Sequence, residues 1–382
     1  MVLDLSDIHL QRKVDHINIC LRDDVVHENN CEELFSEIVL VHQAFPRISY
    51  HDVDITTKFL GYEMSAPIVI EAITGGYPQA KLINEKLATL ANEYGLAIAV
   101  GSQRPILASN FNNGVVETYR VARDKAPNVP LIGNIGITQL RDIDVDVAKS
   151  LVDCIQADAL AIHLNPAQEL VQPEGDKNFR EDLLERVSQL VRELGVPIIV
   201  KEVGHGLSME TVTLFKEIGV RIFDTAGACG TNWIKVEAYR NPEGSLAREV
   251  GFSLSSLGWG IPTPISLIEV KTACPSGVVI ASGGVWNGVY AAKMLALGGD
   301  LVGFARPILK ALINHGYEGA KRYLEKYITE LKAVFFLVGA RNLKELRAKP
   351  LILGAKLRDL LTARGINVEE YIARIRRGDE RE

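Results

Sequence analysis

Short apolar runs recur eight times along the chain, and a stretch with helical spacing of apolar residues follows each run. This alternation predicts parallel strands joined by helices. The runs are almost continuously apolar, which is typical of strands that are buried on both faces. We place the strands at 67–72, 96–101, 130–134, 158–163, 197–202, 220–225, 277–282 and 300–304. Eight such units within about 250 residues predict a closed (β/α)8 barrel of the TIM type rather than an open doubly wound sheet.

The segments outside these eight units are predicted to elaborate one domain. With 382 residues and a hydrophobic content of 47%, the chain can bury a single large core. We expect the barrel at about 65–312, an N-terminal extension at 1–60, and C-terminal helices at 313–382 that end in the solvated charged run RIRRGDERE. A glycine-rich insertion at 226–264, after the sixth strand, is a candidate lid.

Composition excludes several classes of protein. The formal net charge of −6 gives no general attraction to nucleic acid or to an anionic membrane. No apolar run approaches the length that spans a membrane, and the start of the chain lacks the pattern of a secretory signal. The cysteines are odd in number and form no CxxC pair, which favours a reducing compartment over a disulfide framework. We therefore predict a cytoplasmic protein.

In a barrel, the loops after the carboxyl ends of the strands form the active site. Here these loops read ITGG (73–76), GSQR (101–104), NIG (134–136), HLNPAQE (163–169), KEVGHG (201–206), TAGACGTNW (225–233), SGG (282–284) and GFARP (303–307). Gly283 and Gly284 allow a backbone to approach an oxyanion, and Ala305 and Arg306 begin a helix whose amide groups point outward. Glycines after strands also form simple turns. Their presence after both of the last two strands favours a phosphate site.

Three further groups of residues carry chemistry with more than one interpretation. Lys201 lies in an apolar strand and either pairs with Glu202 or Asp224, stabilises an anionic reduced flavin, or acts as a Schiff-base amine. Glu169 either ligates Mg²⁺ or is a carboxylate favoured by a helix start, and His163 before it is either a ligand or a satisfied strand-end residue. Cations that could capture an anion, or form solvated charge pairs, are Arg12, Lys13 and Arg104.

Taken together, these motifs resemble those of type 2 isopentenyl-diphosphate isomerases along nearly the whole chain. The resemblance rests on RKVDHI, ITGG, GSQR, HLNPAQELVQPEGD, KEVG, CGTNW, WGIPTP, SGG, GFARP and ARNLKEL, of which HLNPAQELVQPEGD is the most specific. It implies an FMN-binding barrel that converts isopentenyl diphosphate into dimethylallyl diphosphate by an allylic proton shift. It also implies Mg²⁺, a reduced flavin supplied with electrons by NAD(P)H, and a homotetramer or homo-octamer.

The resemblance also implies roles for individual residues. Catalysis is assigned to Lys201, Gln168 and His163. Contacts to FMN are expected from Ile73, Thr74, Gly75, Ser102, Asn134, Lys201, Thr231, Gly283, Gly284, Val285, Ala305 and Arg306. Contacts to the substrate are expected from Arg12, Lys13, Ser102, Gln103, Arg104, Asn165 and Gln168, and Glu169 is expected to hold the metal.

Three residues depart from the family pattern. Ile73 replaces a Met, and Ala226 stands where a Ser is common near the flavin. Trp286 occupies the place of an Arg that contacts the FMN phosphate, and Arg306 could supply this contact instead.

Two other interpretations are kept. One is an FMN-dependent 2-hydroxy-acid oxidase or dehydrogenase, with His205 as its base. The other is a flavin-binding barrel without catalytic activity.

Overall fold

Eight parallel strands close into a barrel in which each strand pairs with its neighbours in the sequence. The structure is a computed structural model that describes residues 5–28 and 31–378. The strands are Ile68–Ile70, Ala97–Ala99, Leu131–Gly136, Ala159–His163, Ile198–Lys201, Ile222–Asp224, Val278–Ser282 and Leu301–Phe304. All eight lie within or overlap the predicted ranges, and the predicted (β/α)8 barrel is confirmed. Parts of the predicted extensions, at 1–4, 29–30 and 379–382, lie outside the described residues.

Helices surround the barrel and fill the connections between its strands. In chain order these helices are Pro78–Glu93, Arg104–Ala108, Asn113–Lys125, Val145–Asp153, Pro166–Val171, Asp182–Glu193, Met209–Glu217, Trp233–Arg240, Leu246–Ser256, Thr263–Ala273, Gly288–Ala296 and Arg306–Val338. The last one changes direction at Gly316, whose φ of 67° interrupts the helical backbone. Short 3₁₀ helices occur at Asp23–Val25, Tyr50–Asp52 and Ile137–Arg141.

The alternation of side chains along each strand divides the barrel interior into layers. The lower interior is apolar and contains Val69, Ala97, Ala99, Ile132, Ala159, Ala161, Ile199, Ile280 and Leu301. Two residues further toward the carboxyl end of each strand, the same face carries polar residues or glycine. This polar layer consists of Glu71, Gly101, Asn134, His163, Lys201, Asp224, Ser282 and Gly303. The barrel is therefore a packed core with a polar floor at its carboxyl end.

Two small antiparallel sheets flank the barrel. The hairpin of Thr57–Phe59 and Tyr62–Met64 adds Phe59 and Met64 to the apolar interior cluster. Ile38–Leu40, from the N-terminal extension, pairs with Leu351–Leu353 from the C-terminal one. The helices of the extensions are Leu5–Cys20, Cys31–Ser36, Leu343–Ala348, Ala355–Ala363 and Val368–Arg377. In the part of the chain that the structure describes, no helix is both long and apolar enough to cross a membrane.

The insertion predicted at 226–264 is mostly helical rather than an irregular glycine-rich loop. It forms Trp233–Arg240 and Leu246–Ser256. Asn232 and Ser245 cap these helices with their side chains, which accept the backbone N–H of Lys235 and Arg248. Its role as a lid stays a prediction.

One expectation from the cysteines was wrong. Cys31 and Cys229 form a disulfide, with their Cα atoms 5.4 Å apart, that joins the N-terminal extension to the loop after the sixth strand. The two residues are 198 positions apart in the sequence, so no local spacing motif could reveal the pair.

Loss of this disulfide should lower stability without changing the fold. For Cys31→Ser we expect a free energy of unfolding lower by about 2–5 kcal/mol, because the bond constrains a very long loop of the unfolded chain. Thermal unfolding with and without dithiothreitol measures the effect. The reductant should lower the Tm of the wild type and leave that of Cys31→Ser unchanged. Equal Tm values for the wild type in both buffers would contradict the prediction.

Candidate active site

A deep pocket lies over the polar layer at the carboxyl end of the barrel, as expected for this fold. It encloses about 1390 Å³ when its open mouth is included. All eight strand ends or their loops contribute to the wall, and the N-terminal helix Leu5–Cys20 covers one side with Arg12, Lys13 and His16. The extension before the barrel is therefore part of the site.

The floor of the pocket contains a buried cluster of one lysine and two carboxyl groups. The ammonium of Lys201 lies 2.9 Å from Asp224 Oδ2 and 3.9 Å from Glu71 Oε2. It also donates a hydrogen bond to the carbonyl of Glu202. The Glu202 carboxylate instead accepts the backbone N–H groups of residues 203–205. Of the partners considered for Lys201, Asp224 is the one that the structure supports.

Burial and charge set the protonation of this cluster. Burial alone would lower the pKa of Lys201, but the neighbouring Asp224 and Glu71 carboxyl groups raise it above its ordinary value. Burial and the Asp224 carboxylate raise the pKa of Glu71 to about 8. At neutral pH the cluster therefore holds a charged Lys201 and a protonated Glu71 beside Asp224.

Glycines allow the backbone to form a cradle beside this floor. Gly283 and Gly284 have φ of 94° and 81°, in the left-handed region, and a Cβ on Gly284 would lie 2.2 Å from the carbonyl oxygen of Cys229. A Cβ on Gly230 would lie 2.8 Å from the backbone nitrogen of Gly284. Next to them begins the helix Arg306–Val338, whose first amide groups are available to an anion. The glycines keep this part of the wall free of side chains, and phosphate binding here stays a prediction.

The three departures from the family pattern all line this part of the pocket. Ile73 and Trp286 contribute to its wall. Ala226 has a positive φ of 35°, which is strained for a residue with a Cβ, and its N–H lies 3.1 Å from Ser282 Oγ. Arg306 Nε donates to the carbonyl of Cys20 at 2.7 Å, and its Nη2 donates to the carbonyl of Arg22. Arg306 thus fastens the end of the N-terminal helix to the cradle.

A second polar cluster lies on the short helix Pro166–Val171 and the residue before it. Asn165 Nδ2 donates to Gln168 Oε1 and to Glu169 Oε1, at 3.2 and 3.0 Å. Glu169 Oε2 accepts the backbone N–H of Asp176 at 2.7 Å. Burial raises the pKa of Glu169, while these hydrogen bonds and nearby arginines oppose the shift. No group of three or more His, Cys, Asp or Glu side chains suited to a metal occurs among residues 5–28 and 31–378.

The structure adds a buried carboxylate that the sequence interpretation missed. Glu237 is fully buried and accepts Gln168 Nε2 at 2.9 Å. Its carboxylate also contacts His16 Nε2 at 2.8 Å and Arg240 Nη1 at 2.6 Å. Although burial opposes ionisation, the contacts with His16, Arg240 and Gln168 hold the pKa of Glu237 at about 2. Glu237 thereby fixes the amide of Gln168 at the pocket wall.

Arg12 and Lys13 are buried in the pocket wall rather than solvated. Arg12 lies 3.6 Å from Glu174. Lys13 is 9% exposed, and burial, with the charges of Arg12 and Arg104, lowers its pKa to about 7. The solvated charge pair is therefore excluded. A concentration of buried positive charge of this kind favours an anionic ligand.

Most of the predicted site residues line the pocket, with three exceptions. Gly75 lies against Tyr119, where a Cβ would be 1.9 Å from the ring, and does not form part of the wall. Gln103 is fully buried behind the wall, where it donates to the carbonyl of Leu151 and accepts the N–H of Asn134. Val285 packs into the apolar core. Direct side-chain contact with a ligand in this pocket is therefore wrong for Gln103.

His163 lies on the floor and is held as a neutral imidazole. Its Nδ1 is 2.8 Å from Asn134 Oδ1. Burial, together with the charges of Lys201 and Lys13, lowers the pKa of His163 to about 3. The remaining residues predicted to contact FMN or substrate are in the wall: Thr74, Ser102, Arg104, Thr231 and Ala305.

Comparison with known proteins first shows the class of enzyme to which the chain belongs. A family model described as FMN-dependent dehydrogenase matches residues 156–353. Among solved structures, a lactate oxidase of Pediococcus acidilactici shares the fold with a TM-score of 0.61 at 16% identity, covering 93% of this chain and 96% of its own. A flavocytochrome b2 gives 0.62 at 20% identity, with coverage of 91% and 82%. The fold and the matched family model define an enzyme barrel of the FMN-dependent class.

Relatives with higher identity narrow the class. The isopentenyl-diphosphate delta-isomerase of Sulfurisphaera tokodaii is 42% identical over 361 residues, which is 94% of this chain and 96% of the relative. That of Metallosphaera sedula is 39% identical over 370 residues, covering 97% and 99%. The chain belongs to the isopentenyl-diphosphate delta-isomerase family and is therefore an isomerase.

Proposed function

We propose that the protein converts isopentenyl diphosphate into dimethylallyl diphosphate with reduced FMN and Mg²⁺. The observation that carries the proposal is the presence of two separate anion sites in one pocket. One is the glycine cradle at Gly283 and Gly284, and the other is the buried cation pair Arg12 and Lys13. A flavin phosphate and a substrate diphosphate need two such sites. The proposal includes NAD(P)H as the reductant and a cytoplasmic homotetramer or homo-octamer.

The residues of the floor and cradle fit FMN. The cradle offers backbone N–H groups and no side chains, which suits a phosphate. Lys201 places a cation beside the position that the flavin ring would occupy. When bound, reduced FMN supplies the acid/base chemistry and the electron-rich surface that stabilises positive charge on a hydrocarbon. The charged side chains of the polar layer below set the net charge at this end of the pocket.

The opposite wall fits a diphosphate and a magnesium ion. Arg12, Lys13 and Arg104 line this side of the pocket. Glu169 offers one carboxylate close to these cations, and a single carboxylate suits Mg²⁺, which usually retains phosphate oxygens and water as its other ligands. The metal would then depend on the substrate for most of its coordination.

Gln168 and Glu237 hold the substrate face of the pocket in one arrangement. Gln168 donates to Glu237 and accepts from Asn165, so its amide has little freedom to rotate. A rigid amide, rather than a mobile acid, would then lie beside the reacting carbon atoms of the substrate. Residues of the wall exclude water, and this protects cationic character in the transition state.

The alternative function, an FMN-dependent 2-hydroxy-acid oxidase or dehydrogenase, would need His205 as its base. His205 is buried outside the pocket wall, with its ring 5.1 Å from that of His27 and in edge contact with it. Its Nδ1 lies 3.8 Å from Glu202. A base in this position cannot reach a substrate over the polar layer. A mandelate oxidase and a flavocytochrome b2 of this fold share only 14% and 20% identity with the chain, which supports the fold alone.

A direct assay tests the proposal. Purified protein with FMN, Mg²⁺ and anaerobic dithionite should convert isopentenyl diphosphate, and dimethylallyl diphosphate should appear only under reducing conditions. A parallel series with 2-hydroxy acids should leave oxidised FMN unreduced. If reduced flavin is bound and no product forms, the proposal is wrong. Reduction of the flavin by a hydroxy acid would instead support the alternative.

The depressed pKa of Lys13 predicts a pH dependence of substrate binding. Lys13 titrates at about 7 without a ligand, and a bound diphosphate must raise this pKa because it favours the charged form. Above pH 7, binding then requires the uptake of a proton. The Kd for isopentenyl diphosphate should rise by up to about tenfold per pH unit above pH 7.

Titration calorimetry between pH 6 and 9 measures this dependence. Lys13→Arg is the matched variant, since its guanidinium stays charged throughout. Its Kd should lack the rise above pH 7. The same slope in Lys13→Arg and the wild type would contradict the assignment.

A further inference from the structure

Glu71 is an unexpected residue in the interior of a barrel strand. It follows the buried run Ile68–Ile70 by one position and points inward, two residues beyond Val69 in the apolar interior. Only 7% of Glu71 is exposed. Its Oε1 lies so close to the eighth strand that a Cβ on Gly303 would be 2.5 Å away. The absence of a side chain at Gly303 therefore makes room for this carboxyl group.

The two oxygens of Glu71 have different surroundings. Oε2 lies 3.9 Å from Lys201 Nζ. Oε1 is buried and has no hydrogen-bond donor. Asp224 also contacts Lys201 and is close enough for a side-chain hydrogen bond with Glu71. An ionised Glu71 with an oxygen in this position would be costly, whereas a protonated carboxyl group can donate to the Asp224 carboxylate.

The other groups in the polar layer do not compensate a second negative charge. Lys201 is already paired with Asp224 at 2.9 Å, and Ser282 Oγ donates to Asp224 Oδ1. His163 is neutral, since burial lowers its pKa to about 3. Glu202 is also an acid, and its carboxylate is held by backbone amide groups. One cation and two acids are therefore neutral only while one proton remains on the pair.

We infer that Glu71 holds an exchangeable proton beneath the flavin and makes the reduction potential of bound FMN depend on pH. This inference rests on the proposed binding of FMN in this pocket. Two-electron reduction of bound FMN by an external reductant would add negative charge near Lys201. If Glu71 is ionised while the flavin is oxidised, it would take up one proton from solvent when the flavin is reduced. Glu71 is thus a tuning residue that acts through the charge of the floor.

The sign follows from the two states of the flavin. The Glu71 carboxyl has a pKa of about 8, and a reduced anionic flavin would raise it further because like charges disfavour ionisation. Well below pH 8 the carboxyl is protonated in both states, and Glu71 has no effect on the potential. Above pH 8 Glu71 is ionised while the flavin is oxidised, and it regains its proton only when the flavin is reduced. Because this proton uptake becomes less favourable as the pH rises, the affinity for reduced FMN falls relative to that for oxidised FMN.

Spectroelectrochemical titration of the FMN-loaded protein between pH 6 and 10 tests the inference. Glu71→Gln keeps the shape of the protonated acid but does not titrate. Above pH 8 the wild type should lose up to tenfold per pH unit in the relative affinity for reduced FMN, beyond any change in Glu71→Gln. For a two-electron couple this is about 30 mV per pH unit. Glu71→Asp should restore part of the extra dependence.

Controls separate the possible failures. Glu63→Gln removes an exposed carboxylate from the hairpin Thr57–Phe59 and Tyr62–Met64 and should behave as the wild type. Infrared spectra of the wild type should show a protonated carboxyl band that disappears as the pH passes 8, and this needs no variant. Superimposable potentials for the wild type and Glu71→Gln, or the absence of that band, would overturn the inference. Failure of the wild type to bind FMN would instead reject the proposed function.

Discussion

Lys201→Met should reduce isomerase turnover by about 10²–10³-fold, the range found when one preorganised electrostatic group is removed from an active site. The substitution keeps most of the length of the side chain and removes the cation beside the proposed flavin position. It also leaves Asp224, which is 1% exposed, without its partner at 2.9 Å. Removing one member of a buried ion pair costs about 3–5 kcal/mol. Turnover and thermal unfolding measure the two effects.

A matched surface variant distinguishes the loss of the buried cation from the loss of any lysine. Lys58→Met removes an ammonium whose side chain is 80% exposed and pairs with Glu63. We expect turnover within a factor of about two of the wild type and a change in stability below about 0.5 kcal/mol. If Lys201→Met kept full turnover, the assignment of Lys201 to the flavin floor would be wrong.

Glu169→Gln should abolish the activation of the enzyme by Mg²⁺ and lower kcat/KM by at least about 100-fold, since a carboxylate ligand becomes a neutral amide. The new amide also places an N–H group where Glu169 Oε2 now accepts the backbone N–H of Asp176. FMN binding should be unchanged, because Glu169 lies on the wall opposite the cradle. Steady-state kinetics across a series of Mg²⁺ concentrations measures the loss.

The control for this variant is Glu181→Gln, which neutralises an exposed carboxylate in the loop that follows. It should respond to Mg²⁺ as the wild type does. A Glu169→Gln enzyme with the same Mg²⁺ dependence as the wild type would show that the metal binds elsewhere.

The barrel could be predicted because its signal is repeated and local. Each strand is a short run of apolar residues, and its period and punctuation are visible without any distant contact. The glycines Gly283 and Gly284 were also visible in the sequence, whereas their binding of a phosphate stays a prediction. The polar loops at the strand ends then followed from the geometry of the barrel.

Contacts between residues that are far apart in the sequence could not be predicted from the sequence alone. Glu71 could have been suspected, since a carboxylate directly after IVI is unusual, but its pairing with Lys201 and Asp224 depends on barrel closure. Glu237 lies in a helix of the insertion, and only the fold brings it to Gln168. The disulfide between Cys31 and Cys229 has the same origin, because its partners meet only after the N-terminal extension has packed.

Some motif residues serve the fold rather than the pocket. In GSQR, the side chain of Gln103 turns away and joins Asn134 to the carbonyl of Leu151. In ITGG, Gly75 is required by the ring of Tyr119. A motif therefore gives the position of a site, whereas the direction of each side chain decides which of its residues can touch a ligand.

The proposed reaction is a redox-neutral isomerisation at a reduced flavin, and a single-reduction experiment tests it most directly. FMN-loaded protein is reduced anaerobically with one equivalent of dithionite, excess reductant is removed, and isopentenyl diphosphate is added with Mg²⁺. We predict many molecules of dimethylallyl diphosphate per flavin while the flavin spectrum stays that of the reduced form. Oxidation of the flavin in proportion to the substrate consumed, or no product from the reduced enzyme, would contradict the proposed function.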